Sequence, residues 1–430
     1  MSLDIVTFKS APIEIIDGDR GKNYPKQDEF TDDGHCLFLN AKNVTDDGFN
    51  FDTKMFISEK KDNLLRKGKL QKGDVILTTR GTVGNVAFYS EQIPYDNIRI
   101  NSGMLILRSK KELDNEFLYW TLKSNYFKKQ IYTFQSGTAQ PQLPISSLNH
   151  MEFYLPPINI QKKIVKILSQ IDNKIRISKE INKNLEQYLF YLFNEYFMEF
   201  DFNEFSNSNK TIPSSWKLGC FNDIIDSLGS GDWGKEEQTG NYISEVYCIR
   251  GADIPNVKQG NKGKMPIRFI LPKNFEKRKL GENSIVIEIS GGSPTQSTGR
   301  TVFITDNFLN RFDKDIICTN FCKVINPKNE YAIFLYLYLN YLYDKDVMFA
   351  YENGTTGIKN FDIKSFISNF NIVIPSIEDI IKFNNLVQNV FDVIMHNGLE
   401  IEQLQKLRDT LLPKLMSGEI DVSKINCDLE

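Results

Sequence analysis

The sequence predicts an α+β chain in which two β-rich mixed globular domains alternate with two long helices that pair as an antiparallel coiled coil, a pseudo-twofold tandem repeat. Three observations carry this expectation. The chain repeats itself at close to half of its 430 residues, each copy passes from short β-branched runs into a long helical pattern, and both helical patterns carry a heptad.

The repeat keeps its order throughout. Leu39-Asn40-Ala41-Lys42-Asn43-Val44 matches Ile249-Arg250-Gly251-Ala252-Asp253-Ile254 at an offset of 210, and Leu70-Gln71-Lys72-Gly73-Asp74-Val75-Ile76 matches Leu280-Gly281-Glu282-Asn283-Ser284-Ile285-Val286 at the same offset. Later, Ser136-Gly137-Thr138 matches Asn353-Gly354-Thr355 at 217, and Leu155-Pro156-Pro157-Ile158 matches Ile374-Pro375-Ser376-Ile377 at 219. Loop insertions account for the drift. The expected boundaries are a first globule over 1–156, a first helix over 157–200, a linker and second globule over 201–374, and a second helix with its tail over 375–430.

Within each globule, runs such as Asp74-Val75-Ile76-Leu77-Thr78 and Ser284-Ile285-Val286-Ile287 lie between Gly and Asn, which marks strands and turns. Aromatic runs at helical spacing, Glu116–Leu122 and Ile333–Leu339, read as core helices because aliphatic residues fill the intervening positions; a base-stacking platform is the other reading. In the first long segment, steps of four and three give Ile164, Leu168, Ile171, Ile175, Ser178, Asn182, Leu185, Leu189, Leu192 and Tyr196, eight of ten apolar or aromatic. Adding 222 gives Leu386, Val390, Val393, Asn397, Glu400, Leu404, Leu407, Leu411 and Lys414. A helix from Ile158 to Phe197 would span about 60 Å, the dimension of a spacer. An antiparallel pairing would set Asn182 against Asn397 and Ser178 against Glu400, a polar layer of the kind that fixes register.

Composition bounds the function. With 41% hydrophobic and 25% charged residues the chain has a globular balance, and a prior of about 100–200 residues per domain allows several units. No apolar run reaches the roughly 18 residues that span a bilayer, and Met1–Ser10 lacks the pattern of a secretory leader, so a cytoplasmic location is expected, with no membrane partner. The six cysteines are scattered, and Cys318-x3-Cys322 has no second pair nearby, so reduced thiols rather than a metal are expected. The net charge of −3 argues weakly against a polyanionic partner. Against it stands the basic segment Lys258–Lys279, with Lys264 and Arg268 as candidate phosphate contacts, although a solvated loop explains that strip equally well.

Signatures of catalysis are missing from the sequence. The three histidines lie outside any HExxH pattern, and there is no G-x4-GK[ST] loop. Leu155-Pro156-Pro157-Ile158 lacks the polar first residue and the stacking aromatic of an adenine methyltransferase motif, and it reads as the entry to a helix.

Several features together carry a resemblance. Each copy has a strand start with a following Gly-rich loop, a Ser/Asn-Gly-Thr loop ahead of its proline boundary, and a helix that closes in a Leu-rich end, Lys406–Ile420 in the second. In this the chain resembles the specificity subunit of type I restriction-modification enzymes over nearly its whole length. The resemblance implies a non-catalytic subunit of a methyltransferase/endonuclease complex, with two target recognition domains held apart by two helices. It implies double-stranded DNA with a bipartite target as ligand, and two methyltransferase subunits and restriction/translocation subunits as partners. Cofactors are expected in those partners, S-adenosylmethionine, ATP and Mg among them, and none in this chain.

Base edges are read by Arg, Lys, Asn and Gln, whereas Ser, Thr and backbone amides largely hold phosphates. In the first copy the loops Thr78–Asn85 and Gly137–Gln142 offer Arg80, Thr82, Asn85, Gln140 and Gln142; in the second the matching loops offer Gln296, Arg300, Thr355, Thr356 and Lys359. Gly81 and Gly84 fit either a tight turn or a close backbone approach to DNA. The second copy has a lead-in at Trp216-Lys217-Leu218-Gly219 that the first lacks, and the resemblance implies that the far end of the chain supplies it. A coiled-coil scaffold whose globular domains bind protein is the alternative that the net charge allows.

Overall fold

The computed structural model describes residues 5–137, 140–198, 212–291, 293, 296–354 and 359–425. The chain divides into two compact units, Met1–Asn173 with Gln405–Glu430, and Lys174–Leu404.

In the first unit a four-stranded antiparallel sheet has the order Ile13–Asp17, Met104–Ser109, Val75–Thr78, Val86–Phe88. A second sheet sets Cys36–Leu39 between Phe56–Ile57, antiparallel, and Ile98–Ile100, parallel. Ile5–Thr7 pairs with Glu152–Tyr154. Val75–Thr78 is buried along its whole length, which is why it shows a continuous β-branched and aliphatic run rather than an alternating one. Helix Asn115–Lys123 starts where the Asp114 carboxylate accepts from the Glu116 and Phe117 amides at 3.0 Å. It buries Phe117, Leu118, Trp120 and Leu122. Ser124 ends it and caps helix Asn125–Phe134 by accepting from Phe127 N at 3.2 Å.

The second unit repeats this wiring. Its four-stranded sheet runs Ile225–Ser230, Cys322–Pro327, Ile285–Glu288, Thr301–Phe303. Ser244–Ile249 lies between Ile267–Ile270, antiparallel, and Ile316–Cys318, parallel, and Lys217–Cys220 pairs with Asn371–Ile374. The core helix is Ala332–Asp344, buried from Ala332 through Asn340, and its aromatic run packs into the interior: Phe221 lies 5.3 Å from Tyr338. Strand Ile5–Thr7 is thus the counterpart of Lys217–Cys220, so the first copy has the lead-in strand as well. In the second copy Trp216 Nε1 donates to Asp379 Oδ2 at 2.8 Å.

Two 40-residue helices, Ile158–Phe197 and Ile377–Met416, each begin just after a proline boundary and contribute to both units. In place of an apolar residue the first buries Gln161, which donates to Pro156 O at 2.7 Å and Glu112 O at 3.0 Å and accepts from Asp114 N at 2.8 Å. In the first unit Ile164 and Leu168 share a core with Phe117, Leu412, Leu415, Met416 and Val422, and Arg408 pairs with Asp172 at 2.8 Å. In the second unit the Ser178 hydroxyl donates to Glu400 at 3.3 Å, Asn397 Nδ2 donates to Asn182 Oδ1 at 2.8 Å, and Phe197 meets Phe383 at 4.9 Å. Both polar pairs expected of the helices therefore meet.

The first-helix stripe Ile164, Leu168, Ile175, Ser178, Asn182 and Leu189 is buried, with Ile171 and Leu185 half-buried. The second stripe needs correction. Leu386, Val393 and Leu407 are 44%, 44% and 47% exposed, and Val390, Asn397, Leu404 and Leu411 are half-buried. The inward positions are Phe383, Val387, Ile394 and Ile401, which are the first-helix positions plus 219, the offset of the proline boundary. The shift of three residues to 222 turns a helix by about 60° from that face, enough to place the chosen residues on its flank.

Candidate nucleic-acid interface

In the first unit the strand Val75–Thr78 runs into a turn in which Gly81 and Gly84 take φ of +76° and +94°, so both glycines are needed for the turn itself. Asn85 N donates to Thr82 O at 3.3 Å, and Asn85 Nδ2 donates to Val44 O at 2.9 Å, which ties the loop to its neighbour. Arg80 and Thr82 are exposed at its tip. Backbone bridging joins Arg80 to Gln142, and Ser136 and Gln142 exchange amide hydrogen bonds at 2.8 and 2.9 Å. Arg80, Thr82, Gln140 and Gln142 are thereby brought together on one surface, Gln140 exposed and Gln142 half-buried.

Helix Asn125–Phe134 flanks this surface. Asn85, Lys128, Ile131, Tyr132 and Gln135 line a groove beside the loop, with Tyr132 79% exposed and Lys128 within 3.8 Å of Asp46. The sequence reading missed this helix face. Its signal was the alternation of buried Phe127 and Ile131 with Lys128, Lys129 and Tyr132.

In the second unit the matching residues are arranged differently. Arg300 forms a two-pronged pair with the buried Glu288, Nε to Oε2 at 2.8 Å and Nη2 to Oε1 at 2.6 Å, and that hydrogen bonding raises the guanidinium above its usual pKa. Lys359 pairs with Glu352 at 2.9 Å. Burial works to raise the Glu352 pKa, but hydrogen bonds from Lys359 and Thr298 hold it below the ordinary glutamate range. Gln296 is exposed, its Nε2 3.5 Å from the Tyr343 hydroxyl, and Thr138, Thr355 and Thr356 lie outside the described residues.

The basic strip is open only in part: Lys273, Lys277 and Lys279 are exposed, whereas other members are paired within the fold. Lys258 pairs with Glu186 at 2.6 Å and Arg278 with Asp232 at 2.7 Å. Arg268 is buried, its guanidinium carbon 3.7 Å from the centre of the Trp233 ring and its Nη1 3.0 Å from Glu236. Its charge is directed to those partners rather than to solvent. Lys264 is exposed.

A cleft beside these loops is lined by Trp233, Arg250, Ala252, Ser290, Asn320 and Phe321, none of which is among the residues the sequence offered for base reading. Trp233 is 37% and Phe321 56% exposed.

Burial pushes the thiols of Cys36, Cys248 and Cys322 up to about 12, and Cys318 is raised as well; Cys427 lies outside the described residues. These four are buried free thiols. Among the described residues no group of three or more His, Cys, Asp or Glu is placed to hold a metal, and no helix is long and apolar enough to cross a membrane.

Comparison with known proteins matches residues 13–187 to the type I restriction modification DNA specificity domain. The type I restriction enzyme MjaIX specificity subunit of Methanocaldococcus jannaschii is 28% identical, over 82% of this chain and 79% of its own. The HindI specificity subunit of Haemophilus influenzae is 24% identical, over 94% and 98%. Among solved structures, the type I restriction-modification S subunit from M. genitalium superposes with a TM-score of 0.56 at 17% identity, covering 96% of each chain, which is a likeness of fold. The chain is thus similar, over residues 13–187, to the type I restriction modification DNA specificity domain and, along most of its length, to curated type I restriction enzyme specificity subunits.

Proposed function

We propose that this chain is the non-catalytic DNA-reading subunit of a type I restriction-modification complex, that each unit reads one half of a bipartite double-stranded target, and that the long helices set an unread gap between the halves. The observation that carries this reading is the paired architecture. Two units of the same strand order each present a loop cluster at the end of the same central strand, with Arg80, Thr82, Gln140 and Gln142 on one and Gln296 and Ser290 on the other. Side chains that extend from adjacent tight turns are suited to base edges in a groove.

Opposed numbering of the helix contacts, Ser178 with Glu400 and Phe197 with Phe383, supports an antiparallel coiled coil, and the repeated wiring supports a pseudo-twofold relation. Such a relation is the one DNA readers use when half-site spacing is set by geometry. Two methyltransferase subunits and restriction/translocation subunits dock on this chain. S-adenosylmethionine, ATP and Mg act in those subunits, and the complex works on DNA in the cytoplasm.

Binding of the full chain, with its methyltransferase partner, to a duplex carrying the target tests the reading. Affinity falls steeply as salt rises, with a slope set by the phosphates contacted, and scrambling either half-site weakens binding by a factor of at least about 10³. Binding that ignores both salt and sequence would leave the chain a protein-binding scaffold.

A further inference from the structure

The turn Thr319–Cys322 joins strand Ile316–Cys318 to strand Cys322–Pro327 and is closed by Cys322 N donating to Thr319 O at 3.0 Å. Its two central residues, Asn320 and Phe321, are exposed at the tip. The Asn320 amide makes no hydrogen bond among the described residues, and the Phe321 ring, 56% exposed, lines the cleft with Trp233 and Ala252. The turn is also tied to the segment that leads to Gln296 and Arg300, because Ile289 N donates to Phe321 O at 2.9 Å. In the first unit the corresponding turn makes the equivalent contact, Thr79 N donating to Gly103 O at 2.8 Å, but its tip is Ser102-Gly103 and carries no ring.

Two neighbouring side chains on a tight turn are fixed with little loop freedom, and their chemistry is complementary to one base pair. An Asn amide can accept from adenine N6 and donate to adenine N7, and the thymine of the same pair places its 5-methyl group beside that edge in the major groove. A phenyl ring next to the amide covers that methyl. We propose that Asn320 and Phe321 read one A·T pair in the half-site bound by the second unit, the amide on adenine and the ring on the thymine methyl, with Trp233 and Ala252 as the apolar wall behind it. This rests on the DNA-reading function proposed above. It makes the two half-sites unequal: the first unit, with Ser-Gly at the same tip, has no group to sense a methyl there.

Single-atom changes in the DNA test it. In a duplex carrying the target, each thymine is replaced in turn by deoxyuridine, and binding by the full chain with its methyltransferase partner is measured. One position, in one half-site only, should lose about fourfold in affinity, the worth of one buried methyl. Phe321→Ala should abolish that sensitivity there and nowhere else. Replacing the paired adenine by 7-deazaadenine should cost roughly three- to tenfold with the native chain, and nothing with Asn320→Ala. Absence of any deoxyuridine effect, or an effect that survives in Phe321→Ala, overturns the inference while tight binding to the intact target leaves the DNA-reading function standing. Failure of the native chain to bind the target at all overturns both.

Discussion

Asp62 shows what a buried charge demands of its surroundings. Its side chain is 1% exposed, accepts from Lys69 Nζ at 2.6 Å and pairs with Arg99, whose guanidinium also donates to Lys67 O, Asp62 O and Leu65 O. Burial acts to raise the Asp62 pKa, but the Lys69 and Arg99 hydrogen bonds outweigh it and hold the carboxyl below the usual range. A carboxyl with a lowered folded pKa contributes stability that is complete above the unfolded value of about 3.9 and is lost as pH falls through the folded value. Acid unfolding of the first unit, followed by urea melts between pH 5 and 2, should therefore steepen below about pH 4. Asp62→Asn should cost about 3–5 kcal/mol at neutral pH, because it strands Arg99 in the interior, and should flatten that acid limb. The same logic separates two arginines that look alike in sequence. Arg80→Ala should leave melting nearly unchanged and weaken target binding by about 1–3 kcal/mol. Arg300→Ala should instead destabilise the second unit by roughly 3 kcal/mol, because it removes the partner of buried Glu288. The sequence placed both residues in matching loops, but it carried no mark of the ion pair, which forms across a hairpin between residues twelve apart.

At the scale of elements, the helix contacts decide how the second globule is seated within its own unit. Asn182 Nδ2 donates to Ile394 O at 3.1 Å and to Gln259 O at 3.0 Å while Asn182 Oδ1 accepts from Asn397, so one amide joins both helices and a globule loop. Asn182→Ala should cost about 1–3 kcal/mol in chemical denaturation, since it leaves buried polar groups without partners. Beside it Gly398 packs against Gly260, and a Cβ on Gly398 would stand 2.0 Å from Gly260 O. Gly398→Ala should therefore displace the Gln259–Lys262 loop and cost at least about 1–3 kcal/mol. The polar layer was legible because Asn and Ser interrupt an otherwise aliphatic heptad. The phase of the second helix was not, because Leu386, Val393 and Leu407 are as apolar as the residues beside them, and only burial separates the two sets. The order of strands was likewise hidden: the parallel neighbour of Cys36–Leu39 lies some sixty residues along the chain, and local propensity says nothing about it.

At the scale of the molecule, the repeat was readable because drift in a fixed order survives loop insertion, whereas the way the chain closes on itself was available only through resemblance. The first unit is completed by the far end of the chain: Leu412, Leu415, Met416 and Val422 lie in its core, and Lys163 Nζ donates to Ser423 O at 2.7 Å. Each buried side chain of that size contributes about 1.5–3 kcal/mol. A chain ending at Leu404 should lose the protection of the first unit in hydrogen exchange while the sheets of the second unit stay protected. The central claim, a reader of a split DNA sequence, is tested most directly by sequencing native genomic DNA with a method that reports methyladenine, in cells with the methyltransferase partner and with or without this chain. The account predicts methylation of one two-part motif with a constant unread gap, present only with the chain. An unchanged methylation pattern, with the chain folded and the partner demonstrably active, would contradict it.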